Sequence, residues 1–140
     1  MGKKSILLPF TLFIVACSDI QDFDKPINYD YDLIADYQIK WNDIFKQNKE
    51  DYYLYFYSPT CGYCDQIKND VISYFLNNKD DVYFVVDNDD FVIGSDASKT
   101  IGVDNIDSFF ILGTPSLVEI SDGKVTLNIA GVKNIKEYLF

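Results

Sequence analysis

The chain has 140 residues, 48% of them hydrophobic, so it is long enough for one compact domain with its own core and too short for two. Asp and Glu (22) outnumber Lys and Arg (12), and the formal net charge of -10 argues against any role that requires a basic surface for nucleic acid. Histidine is absent, which excludes Ser-His-Asp and Cys-His nucleophile pairs and every His-ligated metal site. Three cysteines remain as candidates for chemistry.

The first residues have the pattern of an export signal. Lys3 and Lys4 form a positive start, and an apolar run of 11 residues follows from Ile6 to Ala16. This run is shorter than the roughly 20 apolar residues that a helix needs to span a bilayer. Its length and flanks are typical of a secretory signal peptide over residues 1–16. Export would place the protein where disulfides can persist.

The apolar run ends in Ile14-Val15-Ala16-Cys17, which resembles the bacterial lipobox. The resemblance implies that Cys17 becomes a lipid-modified N-terminus, with residues 17–30 as lipid anchor and tether. The alternative is a plain signal peptide with a free cysteine near its cleavage site. We expect a bacterial lipoprotein that is extracytoplasmic and attached to the cell membrane by its lipid. Two cysteines are then left for other chemistry.

Residues 31–140 read as one folded domain that begins with alternating helices and strands. A helix is predicted from about Tyr31 to Asn48, because apolar residues recur there at helical spacing. Continuous apolar runs predict two strands buried on both faces, at Tyr52–Tyr57 and Val82–Val86. Between these strands, helical spacing runs from just after Cys64 to Asn78.

The second half of the domain reads as a hairpin followed by a helix. Residues 91–108 are ambiguous and are read as loop with a helical turn. After the turn at Gly113-Thr114-Pro115, strands are predicted at Ser116–Ile120 and Val125–Ile129, joined through Asp122-Gly123, and a last helix at Val132–Phe140. This order predicts an α/β domain with a mixed central sheet flanked by helices.

The most informative motif is Cys61-Gly62-Tyr63-Cys64, which lies where a buried strand ends and a helix begins. Backbone N–H groups and the positive end of the helix dipole should stabilise a Cys61 thiolate and lower its pKa below the usual value of about 8.5. Cys64 follows one helical turn later, within disulfide reach. We expect the first sulfur at the exposed rim and the second beneath it, so that Cys61 attacks a disulfide and Cys64 resolves the product.

Three other interpretations of this motif compete with a redox dithiol. A zinc site would need two further ligands, and only carboxylates remain to supply them. Haem attachment requires a histidine after the second cysteine, where this chain has Asp65. An inert structural disulfide is the strongest alternative. We therefore expect no metal and no cofactor.

The hydrophobic strand that leads into Ser58-Pro59-Thr60-Cys61-Gly62-Tyr63-Cys64, together with Gly113-Thr114-Pro115 before a later strand, resembles the thioredoxin superfamily. The resemblance covers roughly residues 52–140 and implies a thioredoxin-like fold and a thiol–disulfide oxidoreductase. It also implies that Pro115 is cis and packs across from the dithiol, and that Thr114 presents its backbone to a bound substrate. Tyr63, with Phe109 or Phe110, is a candidate to line the rim of that site.

Two departures from the family pattern affect the expected activity. Thioredoxins carry a buried Asp six residues before the first cysteine as proton acceptor, and this chain has Tyr55 there. The Gly62-Tyr63 pair and Thr114 resemble bacterial periplasmic disulfide isomerases, whose dimerisation domain is missing here. We expect a reductase or isomerase of cysteine-containing exported proteins, reset by a redox partner protein in the membrane. The alternatives are a non-enzymatic accessory that binds an exported peptide or a transporter, and a thiol reductant dedicated to one pathway.

Overall fold

The structure is a computed structural model that describes residues 28–78 and 80–140. The predicted signal peptide (1–16), Cys17 and most of the predicted tether (17–30) lie outside the described residues. Among the helices within the two described ranges, none has the length and hydropathy that crossing a bilayer would require.

A five-stranded mixed sheet forms the centre of the domain. Its strands are β1 (Gln38–Ile39), β2 (Asp51–Tyr57), β3 (Val82–Val86), β4 (Ser116–Ser121) and β5 (Lys124–Ala130), in the order β1-β3-β2-β4-β5. β3 pairs parallel with β1 and β2, whereas β4 pairs antiparallel with β2 and β5. Two α-helices, α1 (Gly62–Asn78) and α2 (Val132–Leu139), pack against this sheet. The predicted fold class, a thioredoxin-like α/β domain with a mixed central sheet and flanking helices, is confirmed.

The central strand β2 is buried on both faces, as its continuous apolar run predicts. Because successive side chains of a strand point to opposite faces, Tyr55 and Tyr57 pack against α1 and α2. Leu54 and Phe56 point to the other face, where they pack with Trp41 and its neighbours. The side chains of these four residues are at most 2% exposed.

The predicted helix over Tyr31–Asn48 is wrong. This stretch forms a 3-10 helix at Tyr31–Tyr37, the edge strand β1 and a second 3-10 helix at Trp41–Asp43. Ile34 is buried on the face that α1 covers, whereas Trp41 and Ile44 are buried on the opposite face. The apolar residues thus serve two faces of the sheet, and the chain crosses the sheet edge between them through the pairing of β1 with β3. A single helix would have covered one face only.

The remaining elements match their predictions closely. β3 has the predicted bounds, and α1 ends at Asn78. The turn between β4 and β5 places Asp122 at φ 49° and Gly123 at φ 72°, the left-handed conformation that an Asp-Gly hairpin turn requires. The ambiguous stretch is a loop with short 3-10 turns at Ala97–Thr100 and Ile106–Ser108.

Candidate active site

Cys61 stands directly before α1, at the position where a helix is capped. A short turn ends β2 there, closed by a hydrogen bond from the Cys61 N–H to the Ser58 carbonyl at 3.1 Å. The Cys61 carbonyl accepts the first helical bond, from the Asp65 N–H at 3.1 Å. The Cys61 Sγ accepts a hydrogen bond from the backbone N–H of Cys64 at 3.1 Å. The sulfur therefore takes the place of the side-chain oxygen that usually caps a helix.

The two sulfurs differ in exposure, and neither is in a disulfide. Both thiols are free; Cys61 is partly exposed and Cys64 is completely buried. Cys64 packs among the core residues beneath α1, with Tyr55 and Tyr57 of β2 in the same cluster. The outer sulfur can therefore meet a partner molecule, whereas the inner one is reached only through the outer.

The surroundings shift the pKa values of the two thiols in opposite directions. Partial burial by itself would raise the pKa of Cys61. Hydrogen bonding from the side chains of Cys64 and Thr114 and from the N–H groups of Cys64 and Tyr63 outweighs burial and lowers this pKa. For Cys64, burial and the hydrogen bond with Cys61 raise the pKa to about 12. The arrangement favours a thiolate at the rim and a neutral thiol beneath it.

The loop before β4 completes the site from the other side. The Thr114–Pro115 peptide bond is cis, as the resemblance to the thioredoxin superfamily implies, and Gly113 precedes it at φ 141°. The Cys61 thiol donates a hydrogen bond to the Thr114 carbonyl, with 3.4 Å between sulfur and oxygen. The Pro115 carbonyl accepts a hydrogen bond from the Gly131 N–H at 2.9 Å, which ties this loop to the start of α2. Residues from distant parts of the chain thus meet at one sulfur.

A surface groove of about 360 Å³ lies next to the dithiol. Tyr63 forms part of one wall and is 67% exposed, and Thr114 and Pro115 lie in the same lining. The groove is completed by Gln66 of α1 and by the start of α2, namely Gly131, Val132, Lys133 and Asn134. The structure therefore brings together the three residues that the sequence analysis assigned to substrate binding.

The two phenylalanines considered for the rim lie elsewhere. Phe109 is 1% exposed and packs on Trp41 and Phe56, on the face of the sheet opposite α1. The Phe110 ring lies against Gly94, where an added Cβ would come within 2.1 Å of the ring. Neither belongs to the groove lining. Both residues belong to the loop that precedes β4. This loop covers the face of the sheet opposite α1.

Two tyrosines near Cys64 were not assigned to the site from the sequence. Tyr31 stacks on Tyr57 with 4.0 Å between ring centroids, and Tyr55 lies 6.2 Å from Tyr57 on the same face of β2. All three pack in the cluster that contains Cys64. Strand alternation could have placed Tyr55 and Tyr57 together beneath α1. The contribution of Tyr31, from a 3-10 helix at the sheet edge, had no comparable signal.

Comparison with known proteins gives structural similarity at low sequence identity. Neither a protein-family model nor a curated protein sequence matches the chain. Among solved structures, a thioredoxin from Fasciola hepatica is 20% identical, with a TM-score of 0.45, over 69% of this chain and 86% of its own. Thioredoxin f2 from Chlamydomonas reinhardtii is 14% identical, with a TM-score of 0.47, over 72% and 88%. Mitochondrial thioredoxin 3 from Saccharomyces cerevisiae is 19% identical, with a TM-score of 0.46, over 73% and 91%.

Proposed function

We propose that this domain is a thiol–disulfide oxidoreductase in which Cys61 is the nucleophile and Cys64 the resolving thiol. The observation that carries the proposal is the position of the Cys61 sulfur. It is partly exposed, accepts the Cys64 N–H at 3.1 Å and lies 3.4 Å from the Thr114 carbonyl. An inert structural disulfide would need neither a lowered thiol pKa nor an adjoining groove.

The reaction follows from the two thiols in two exchange steps. The Cys61 thiolate attacks one sulfur of a client disulfide, forming a mixed disulfide while the other client sulfur leaves as a thiolate and takes a proton from water. Cys64 then loses its proton and attacks the Cys61 sulfur. The Cys61–Cys64 disulfide forms, and the second client thiolate leaves and is protonated. The client is reduced by two electrons, and a dithiol partner protein must return the domain to its reduced form.

The groove gives the client a place to lie during both steps. Thr114 offers its backbone carbonyl next to the reacting sulfur, and Pro115 lines the groove beside it. Tyr63, which is 67% exposed, offers an aromatic surface for an apolar part of the client. An extended segment around the client disulfide is therefore the ligand that we propose for this groove.

Removing either thiol should stop turnover, but with different products. With Cys64→Ser, the first exchange can occur and the second cannot, so covalent mixed disulfides with clients should accumulate. With Cys61→Ser, no mixed disulfide should form, because Cys64 is buried and protonated. Non-reducing gels with mass spectrometry would identify the trapped species, and reduction of an insulin-type substrate would measure turnover.

Each variant should also be made with Cys17→Ser, so that the third thiol cannot account for any adduct. If both single variants reduced the insulin-type substrate as well as the parent, the proposed enzyme would be ruled out. If neither trapped a client while turnover was lost, the two-step exchange through Cys61 would be wrong.

We further propose that the enzyme is extracytoplasmic and anchored to the cell membrane through an acylated Cys17. The support is the pattern Ile14-Val15-Ala16-Cys17 after a short apolar run. Its clients would be exported proteins with cysteines, on which it acts as reductase or isomerase, and a redox protein in the membrane would reset it. The strongly acidic composition, with a pI near 4.2, disfavours flat adsorption of the domain on anionic lipid headgroups. The lipid would then be the main attachment.

Acylation has a direct test in cells. Mass spectrometry of protein extracted from membranes should find residue 17 as the N-terminus, carrying a diacylglyceryl group. Cys17→Ser should remove the modification and shift the protein from the membrane fraction to the soluble fraction. An unmodified Cys17 in a released protein would show an ordinary signal peptide instead.

A further inference from the structure

Two buried tyrosine hydroxyls in the core around Cys64 make no hydrogen bond in the described part of the chain. Among the described residues, the Tyr31 and Tyr55 hydroxyl oxygens are buried and have no hydrogen-bond partner. Tyr55 is also 1% exposed as a whole side chain. Buried polar groups are normally paired, because leaving one unpaired is unfavourable for stability. Phenylalanine would fill the same space without that penalty.

Their tyrosine neighbours make the contrast clear. Tyr57, which stacks between them, accepts a hydrogen bond from the Gln38 amide at 2.8 Å. Tyr52, on the opposite face of β2, donates its hydroxyl to the Ile44 carbonyl at 2.6 Å. Among the described residues, the buried tyrosine hydroxyls without a partner are those of Tyr31 and Tyr55, whereas Tyr57, in the same cluster as Cys64, has one. Besides burial, a charge on Cys64 or Cys61 raises the pKa of Tyr31 and of Tyr55, whereas burial alone raises the pKa of Tyr57.

Electrostatics connects both hydroxyls to the sulfurs. Burial is the largest cause that raises the pKa of Tyr55 and of Tyr31, and a charge on Cys64 or Cys61 raises both further. Both phenols therefore stay neutral and keep their O–H hydrogens. Among the described residues, the titratable and charged groups around Cys64 are Cys61 directly before α1, Asp65 and Lys68 on α1, Tyr31, and Tyr55 and Tyr57 on β2. Lys68 pairs with Asp65 at 3.6 Å, so these two charges largely offset each other.

We propose that the Tyr31 and Tyr55 hydroxyls turn their O–H dipoles toward the Cys64 sulfur as it loses its proton, and so stabilise the thiolate that closes the Cys61–Cys64 disulfide. This inference rests on the proposed function and adds two positioning residues to its second step. In that step the Cys64 proton passes to water or to the leaving client thiolate, and the tyrosines keep their own protons. Because neither hydroxyl is bound to an acceptor in the described structure, both are free to reorient.

The first test measures Cys64 itself and does not need turnover. In a chain carrying Cys17→Ser and Cys61→Ser, Cys64 is the one remaining thiol, and its alkylation by a small reagent can be followed from pH 8 to 11. Adding Tyr55→Phe should slow alkylation about tenfold at a fixed pH below the midpoint and move the profile to higher pH. Adding Tyr31→Phe as well should slow it further. A change below about twofold in the double variant would overturn the inference.

The second test separates the two exchange steps in the full chain. Tyr55→Phe should slow the release of a preformed mixed disulfide of Cys61 with glutathione about tenfold, and should leave the reactivity of Cys61 unchanged. Tyr52→Phe is the matched control, since it removes a buried hydroxyl from the same strand on the other face. It should leave the release rate unchanged. Equal release by the parent and Tyr55→Phe would also overturn the inference.

Tyr55→Phe should slow the release of the mixed disulfide without lowering the stability of the folded protein. Tyr55→Phe removes an unpaired buried hydroxyl, so the urea midpoint of the reduced protein should stay the same or rise. Tyr52→Phe leaves the Ile44 carbonyl without its donor, so its midpoint should fall. If Tyr55→Phe instead unfolded the protein more easily, the hydroxyl would have a structural role and the inference would fail. A failure to trap mixed disulfides with Cys64→Ser would reject the proposed function alone, because the alkylation of Cys64 is measured without a client.

Discussion

In the reduced protein at pH 7, a small alkylating reagent should label Cys61 at least about thirtyfold faster than Cys64. A cysteine with a pKa of 9.0 is about 1% thiolate at this pH, and the lowered pKa of Cys61 gives it at least that fraction. Cys64, with its pKa raised to about 12, is ionised to only about one part in 10⁵. The thiolate fractions therefore differ by more than about a thousandfold.

Two further factors act on this ratio. A thiolate of higher pKa is the better nucleophile. With a Brønsted coefficient of about 0.4–0.5, the Cys64 thiolate is intrinsically more reactive than the Cys61 thiolate by roughly one and a half powers of ten. Burial acts the other way, because Cys64 is completely buried and the reagent reaches it more slowly than it reaches the partly exposed Cys61. A difference of about thirtyfold is thus a lower bound. Peptide mapping by mass spectrometry would assign the label to each of the three cysteines.

The pH profile of Cys61 labelling tests the cause of its reactivity. Because its pKa is lowered from 9.0, the rate should reach half of its plateau below pH 9.0, and the curve should lie at lower pH than that of N-acetylcysteine measured in parallel. Cys64→Ser serves as the comparison, because the hydrogen bond from the Cys64 side chain is the largest of the causes that lower the Cys61 pKa. It keeps the N–H that donates to Cys61 at 3.1 Å and removes only the thiol. A midpoint at or above that of the free thiol would refute the activated nucleophile.

The dithiol could be predicted from sequence because its geometry is local. The end of β2, the start of α1 and the three-residue spacing of the cysteines are all encoded within a few residues, so the position of Cys61 before the helix follows from them. Pro115 required the resemblance to the thioredoxin superfamily, because nothing near it in the chain points to Cys61. The contact from the Cys61 sulfur to the Thr114 carbonyl spans 53 positions.

The features that the sequence did not reveal depend on which face of the sheet each side chain packs against. The spacing from Leu33 to Phe45 suits a helix, but the same residues also suit a chain that crosses a sheet edge and buries Ile34 on one side and Trp41 on the other. Periodicity does not distinguish these two outcomes, because it counts apolar residues without saying what they contact. Periodicity also says nothing about the Tyr55 hydroxyl, because its proposed role depends on its having no hydrogen-bond partner among the described residues.

Asn128 illustrates a third kind of information that sequence patterns lack. It lies in β5, within a strand read only as an alternation of apolar and polar residues, and it is 5% exposed. Its Nδ2 donates to the Thr100 Oγ1 and to the Phe110 carbonyl, both at 2.9 Å. Thr100 Oγ1 in turn donates to the Ala97 carbonyl at 2.7 Å, so it serves Asn128 as an acceptor. One amide therefore fastens the loop that leads to the Thr114–Pro115 turn.

Asn128→Asp should destabilise the protein by about 3–5 kcal/mol at pH 8, the range for an unpaired buried charge. The substitution keeps the shape of the side chain but replaces the donor with an oxygen that faces two acceptors at 2.9 Å. The second oxygen gains nothing, because Asn128 Oδ1 has no hydrogen-bond partner within the described part of the chain. Urea unfolding of parent and variant in the reduced state would measure the difference.

The sign of the pH dependence identifies the charge as the cause. Burial raises the pKa of the introduced carboxyl in the folded state above its unfolded value of about 3.9. The loss of stability is therefore smallest near that unfolded value and grows as the pH rises toward the folded pKa. The difference in free energy of unfolding between parent and variant should thus be smaller at pH 5 than at pH 8. The matched control is Asn134→Asp, the same chemical change at an exposed amide that donates to the Ala130 carbonyl at 2.8 Å. It should change stability by less than about 0.5 kcal/mol at any pH. A loss of stability in Asn128→Asp that did not vary with pH would mean that lost hydrogen bonds, rather than buried charge, account for it.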